Sequence, residues 1–217
     1  MRESADAKRA RGRKILTLFE RAYPDAKIAL DFTTPLELVV ATILSAQCTD
    51  ERVNMVTPAL FRAYHSAADY ARAKSETLEK AIHSTGFFRA KARSIVGMAQ
   101  ALVERHGGEV PRERAALVKL PGVGLKTANV VLGNAFGEPA IAVDTHVFRV
   151  SQRLGLARSE DPVEIHEQLT EVLPRKSWTR ASHLFQAHGR RTCLARKPAC
   201  PVCPVRALCP WPEKARP

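Results

Sequence analysis

Four cysteines fall within 17 residues near the end of the chain, Cys193, Cys200, Cys203 and Cys209, spaced Cys-x6-Cys-x2-Cys-x5-Cys. Proline recurs through the same stretch (Pro198, Pro201, Pro204, Pro210, Pro212, Pro217) and stops regular structure. A segment of this kind has little apolar surface to bury, so a metal held by its thiolates is what would fold it. Four soft sulfur ligands suit either zinc or an iron–sulfur cluster. Structural zinc sites commonly pair two Cys-x2-Cys knuckles, and only one such pair is present here. The spacing therefore ranks a [4Fe–4S] cluster first, zinc second and unligated thiols third. The fifth cysteine, Cys48, ends an apolar stretch and reads as an ordinary buried residue.

Clustered cysteines mean metal more often than disulfides where thiols stay reduced. The first residues, Met1-Arg2-Glu3-Ser4-Ala5-Asp6, are charged with no apolar stretch behind them, so no secretory signal is expected. No apolar run approaches the roughly 18 residues of a membrane span. The expected compartment is the cytoplasm. A chain of 217 residues, 45% hydrophobic, is long enough for one large domain or two small ones with a real core. Its formal net charge is +12, and residues 1–14 and 189–217 supply most of the excess. Lysine and arginine in that surplus suit a polyanion, because they release counterions from phosphates. Charge by itself also fits a solvated basic surface or a membrane-surface patch.

Between Leu30 and Gly189 no period-2 strand or hairpin signal stands out, and the chain reads as helices joined by short loops. Thr34-Pro35-Leu36-Glu37 is a capping box with proline at the first helical position. Behind it Leu36, Val39, Val40, Ile43 and Leu44 recur at helical spacing as a core face. A second helix start lies near Thr49-Asp50. A further helix is expected from about Ala90 to His106, with Ile95, Met98, Ala99, Leu102 and Val103 on its apolar face and Gly107 as its stop. Another should occupy residues 162–173, ending before Pro174. Residues 2–14 read as a short basic arm.

The segment Leu120-Pro121-Gly122-Val123-Gly124-Leu125-Lys126-Thr127 follows a short helix and opens a second at about Gly124. Glycines permit close backbone approach, and the free N–H groups of the new helix face outward as an anion site. Such a turn grips a phosphate without reading sequence. Two nucleotide-binding patterns are excluded. Leu125 stands where a phosphate-binding loop places glycine before its lysine, and Thr127 holds the place of the third glycine in a dinucleotide fingerprint. Lys126 lies in the first turn of the second helix, where the dipole disfavours a cation. An uncharged amine there is a nucleophile able to form a Schiff base. The plainer reading is a lysine that is solvated or binds phosphate.

Downstream, Val143-Asp144-Thr145-His146-Val147-Phe148-Arg149 places Asp144 as an N-cap, with Val143 and Phe148 at the two positions of a hydrophobic staple. A cap holds a carboxylate ionised and aimed, which serves structure and catalysis alike. His146 reads as structural.

Taken in order and at these separations, the Leu120–Ala128 segment, the Val143–Arg149 segment and the cysteine run resemble the endonuclease III family of iron–sulfur, helix–hairpin–helix DNA glycosylases and abasic-site lyases. Leu44-Ser45-Ala46-Gln47-Cys48-Thr49-Asp50 also matches that family's pattern, and the resemblance spans about Lys14 to Cys209. It implies an all-α, two-lobed fold with a DNA-binding cleft. One lobe is a six-helix barrel over residues 28–138 that carries the helix–hairpin–helix motif at about 113–136. The other joins the N-terminal helix, in residues 1–27, to the C-terminal helices of 139–217 and holds a [4Fe–4S] cluster on Cys193, Cys200, Cys203 and Cys209. Lys126 matches the family's nucleophile and Asp144 its essential carboxylate, which accepts the lysine's proton or stabilises positive charge on the sugar. Gln47 matches a residue that fills the gap left by a flipped nucleotide. Gly122 and Gly124 match the phosphate-gripping hairpin, and Arg196 and Lys197 a basic loop between cluster ligands. Phe87 departs from the pattern: Gly86-Phe87-Phe88 stands where the best-known bacterial members place an aliphatic wedge after a glycine, and an aromatic ring also intercalates.

The implied partner is double-stranded DNA carrying a damaged base or an abasic site, acted on by a monomer. The implied reaction removes oxidised pyrimidines and cuts the strand by β-elimination. Two alternatives stand beside it, an adenine-specific mismatch glycosylase of the same superfamily and a non-catalytic DNA-binding iron–sulfur module. The adenine-specific relative normally lacks the lysine and carries a further C-terminal domain.

Overall fold

The computed structural model describes residues 3–211. Met1, Arg2 and residues 212–217 lie outside the described residues, and with them part of the expected basic arm and of the proline-rich end, including Pro212 and Pro217. All regular structure among the described residues is helical. The chain divides into two compact units, Ile28–Glu138 and the combination of Met1–Lys27 with Pro139–Pro217.

The Ile28–Glu138 unit contains α2 (Pro35–Leu44), α3 (Asp50–Ala63), α4 (Ala67–Ala71), α5 (Ser75–Ile82), α6 (Phe88–His106), the single turn α7 (Arg114–Leu117) and α8 (Leu125–Ala135). The capping box at α2 forms in full: Glu37 N–H donates to Thr34 Oγ1 at 3.2 Å, and Thr34 N–H donates to Glu37 Oε2 at 3.3 Å. Thr49 caps α3 through the N–H of Arg52. Helix α2 is not one-faced as its spacing suggested. Every residue from Leu38 to Leu44 is buried, Thr42 among them with its hydroxyl donating to the Leu38 carbonyl, and Leu36 is only half-buried. Helix α6 starts two residues before Ala90. Ile95, Met98, Ala99 and Leu102 are in its core face, whereas Val103 is exposed. The helix stops where Gly107 takes the left-handed conformation (φ 61°) and Gly108 N–H reaches back to the Leu102 carbonyl at 2.9 Å.

The second unit contains α1 (Ala5–Ala22), α9 (Thr145–Arg153), α10 (Pro162–Val172) and α11 (Trp178–Arg191), followed by 3-10 turns at Cys200–Val202 and Arg206–Leu208. The residues that read as a basic arm begin the N-terminal helix that the resemblance implies, which runs from Ala5 onward. Ile15, Leu16 and Phe19 of α1 are buried with Ile165, Leu169, Leu184 and Phe185. One basic residue of α1 is used internally as well: Arg11 donates to the carbonyls of Leu154 and Leu208 and pairs with Glu3. Phe19 meets Phe185 edge-on with ring centroids 5.7 Å apart.

His183 of α11 predicts an acid sensitivity. Burial first, and then the charge of Arg180, push it down to about 4 from an ordinary value of 6.5. The fold thus favours the neutral ring. Its contribution is complete above pH 6.5 and is lost as pH falls toward 4, because the unfolded chain binds the extra proton first. The loss by pH 4 is about 3 kcal/mol. Thermal midpoints measured across this window should fall more steeply for the parent than for His183→Gln.

Candidate functional site

Lys126 is the second residue of α8, exposed, and two residues after Gly124, which stands at the N-cap with no side-chain hydrogen bond. The first-turn N–H groups therefore lack a side-chain acceptor, as an anion site requires. The two hairpin glycines do different work. Gly122 has φ 75°, and a Cβ there would stand 2.7 Å from Ser94 Cβ on α6, so both conformation and space demand glycine. Gly124 has an ordinary φ of −89° and open space around it, which keeps the helix start accessible. The preceding helix, α7, ends at Leu117, and Leu120 and Val123 are buried in the turn. Arg114 of α7 donates to Asn129 Oδ1 of α8 at 2.9 Å, closing the hairpin from within.

Asp144 belongs to the other unit. Its Oδ1 accepts from the N–H groups of His146 at 2.9 Å and Val147 at 2.7 Å, so it caps α9 while half-buried. Both bonds fall on one oxygen, which fixes the carboxylate's direction and leaves Oδ2 for other partners. Val143 and Phe148 pack against the core of the unit. His146 lies against Gly189, where an added Cβ would come within 2.9 Å of its ring, and burial holds it below the ordinary histidine range.

Gln47, Phe87 and Lys197 share a property that the sequence did not reveal. They are the non-glycine residues of positive φ among the described residues, at 51°, 47° and 51°. All three are exposed, and Phe87 retains 65% of its surface. Left-handed backbone is unfavourable for residues with a Cβ and is characteristic of functional turns. Gln47 follows the end of α2, and Phe87 precedes the first residue of α6. Cys48 lies in the same turn as Gln47 and is half-buried, not the core residue expected.

Cys193, Cys200, Cys203 and Cys209 line one cavity of about 370 Å³, counting the space that opens to solvent. Among the described residues, no group of three or more His, Cys, Asp and Glu is arranged to hold a single metal ion. Burial, and the nearby charge of the other three sulfurs, push the Cys203 thiol up. A thiol in this state needs a positive partner to ionise. Arg153 Nη1 lies 3.4 Å from Cys193 Sγ and its guanidinium covers the Trp211 ring at 4.2 Å. Arg153 also donates to the carbonyls of Leu194 and Ala195, and Arg149 donates to those of Gly189 and Cys193. The loop carrying exposed Arg196 and Lys197 is thereby held at its base, and Ala199 N–H closes it onto the Thr192 carbonyl at 2.9 Å.

The structure thus brings the four cysteines together around one cavity and places Lys126 and Asp144 in separate units. Sequence reasoning missed Arg11, Arg149 and Arg153, whose partners are main-chain carbonyls distant along the chain and leave no spacing signal. It also missed α11, although Ala181, Leu184, Phe185 and His188 recur at helical spacing.

Comparison with known proteins adds an independent measure. Residues 40–175 match a family model described as "HhH-GPD superfamily base excision DNA repair protein". The chain is 50% identical over 205 residues to endonuclease III of Synechocystis sp., covering 94% of each. It is 42% identical over 206 residues to endonuclease III of Escherichia coli, covering 95% of this chain and 98% of the other. A solved structure of a trapped endonuclease III–DNA covalent intermediate superposes with a TM-score of 0.90 at 45% identity, covering 95% of this chain and 97% of the other. No helix among the described residues is long and apolar enough to cross a membrane.

Proposed function

We propose, for a chain that belongs to the endonuclease III family of helix–hairpin–helix base excision DNA repair proteins, that a single lysine, Lys126, carries out both base removal and strand cleavage. The chain is a DNA glycosylase with abasic-site lyase activity, and its partner is DNA. The observation that carries the assignment of Lys126 is its place at the uncapped start of α8, exposed and beside a glycine that leaves the approach open.

The damaged base, an oxidised pyrimidine, is turned out of the stack. The uncharged Nζ of Lys126 attacks C1′ of its sugar, and the glycosidic bond breaks with its electron pair leaving on the base. Loss of a proton from nitrogen and opening of the sugar ring give a Schiff base. Loss of a C2′ proton then expels the 3′ phosphate, and water releases the lysine. Asp144 supplies the fixed carboxylate that takes up a proton or stabilises positive charge on the sugar. The hairpin of Gly122 and Gly124 grips backbone phosphate, as do Arg196 and Lys197. Gln47 and Phe87 enter the duplex where the base has left.

Four thiolates lining one cavity suit a [4Fe–4S] cluster, and Arg153 beside Cys193 offsets part of the negative charge. The cluster's contribution when bound is to order residues 193–209 and so present the basic loop. The test of the whole reading uses duplexes carrying thymine glycol, an abasic site, or adenine opposite oxidised guanine. The expected result is base release from the first and strand cleavage of the first two by a protein with broad visible absorbance and about four iron atoms per chain. Cleavage confined to adenine opposite oxidised guanine, or a colourless protein containing one zinc, would contradict it.

A further inference from the structure

Lys91 is a buried cation that neither the sequence pattern nor the chemistry above accounts for. It lies in the first turns of α6 and retains 4% of its surface. Its ammonium donates to the Leu44 carbonyl at 2.7 Å and to the Thr85 carbonyl at 2.8 Å. Its own N–H donates to the Phe87 carbonyl at 3.0 Å. Leu44 is the last residue of α2, and Thr85 the last of a 3-10 turn, His83–Thr85. Carbonyls at helix ends have no partner within the helix, and a cation is favoured there. Gln47 comes three residues after Leu44 and Phe87 two residues after Thr85.

Both turns are strained where they reach solvent. Gln47 and Phe87 occupy left-handed backbone despite carrying side chains, and such conformations persist only where the surroundings hold them. Burying an ammonium group is costly even when it is hydrogen-bonded, and burial pushes Lys91 below the ordinary lysine range. A methionine or leucine would fill the same space without that cost. What it would not do is satisfy two helix-end carbonyls at once and so tie the bases of both turns to one atom.

We infer that Lys91 is a positioning residue, which holds the Gln47 turn and the Gly86-Phe87 turn in fixed relation so that both side chains enter a DNA duplex together. The inference rests on the reading of Gln47 and Phe87 as inserting residues. Lys91 itself is too buried to reach DNA. Its effect is therefore confined to substrates in which a base stack must be opened and filled.

A pair of substrates tests this: a duplex with an abasic site, and the same abasic strand alone, where no partner base remains. In Lys91→Met, single-turnover cleavage of the duplex should fall ~10- to 100-fold, the range for a misplaced positioning element, while cleavage of the single strand stays at the parent's level. Adding Lys91→Met to a Gln47→Ala, Phe87→Ala protein should remove nothing further from duplex cleavage. Equal loss on both substrates, an unchanged duplex rate, or additive losses would overturn the inference. If Gln47→Ala and Phe87→Ala themselves leave duplex cleavage intact, it is the insertion reading that fails. Should Lys91→Met lose its helical circular dichroism, Lys91→Gln is read in the same assay with the same expectation, since its stem is too short to hold both carbonyls.

Discussion

Lys126→Ala is expected to abolish strand cleavage at an abasic site while the protein stays folded and still binds DNA. Removal of a covalent nucleophile costs on the order of 10⁴-fold or more in rate. The fold should not suffer. Lys126 is exposed near the start of α8, alanine is a better helix former, and a cation at that end opposes the helix dipole. Thermal stability should therefore be unchanged or slightly raised. Lys126→Arg separates the two meanings of a positive side chain here. Arginine keeps the charge that grips phosphate but stays protonated and is not a nucleophile. It should bind DNA as well as the parent and cleave as poorly as Lys126→Ala. Cleavage by Lys126→Arg near the parent's rate would reduce Lys126 to a phosphate contact.

Asp144→Asn is expected to lower single-turnover cleavage on the order of 10²- to 10⁴-fold, the range for a positioned acid or base. The choice of asparagine matters because Asp144 caps α9 through Oδ1. An asparagine side-chain oxygen accepts the same two N–H bonds, so the cap survives and only the charge and basicity are lost. Asp144→Ala should show the same kinetic defect with a further loss of about 1 kcal/mol in stability. Equal rates for Asp144→Asn and the parent would leave Asp144 as a cap alone. Stability and rate should be measured on the same preparations, because the two roles share one carboxylate.

How much of this was legible in the sequence follows from how local each feature is. Helix starts were readable where a short motif sets them: the Thr34–Glu37 box and the Asp144 cap are complete within four residues, and both form as read. The hairpin was readable as a turn, but not why its two glycines differ. Only the approach of Ser94, distant in sequence, shows that Gly122 tolerates no Cβ while Gly124 does. The internal use of Arg11 is hidden because six basic residues in the first fourteen look solvated. One of them, Arg11, donates to the Leu154 and Leu208 carbonyls, more than 140 residues away. Val103 was assigned to the core from period alone, and packing decided otherwise. The cysteine spacing left metal identity open, because ligand type is local whereas the cavity the four sulfurs share is not.

The positive φ values at Gln47, Phe87 and Lys197 were likewise invisible in the sequence, since no residue type there demands them. Their coincidence with the residues expected to touch DNA is the structural feature most worth pursuing. All three stand in exposed turns rather than in the core.

The central claim is that Lys126 Nζ forms the covalent link to the sugar. Borohydride reduction during turnover on an abasic duplex, followed by proteolysis and mass mapping of the DNA-linked peptide, tests it most directly. One adduct is expected, on the peptide containing Lys126 and at that side chain, absent from Lys126→Ala. An adduct mapped to another residue, or trapped equally well by Lys126→Ala, would contradict it.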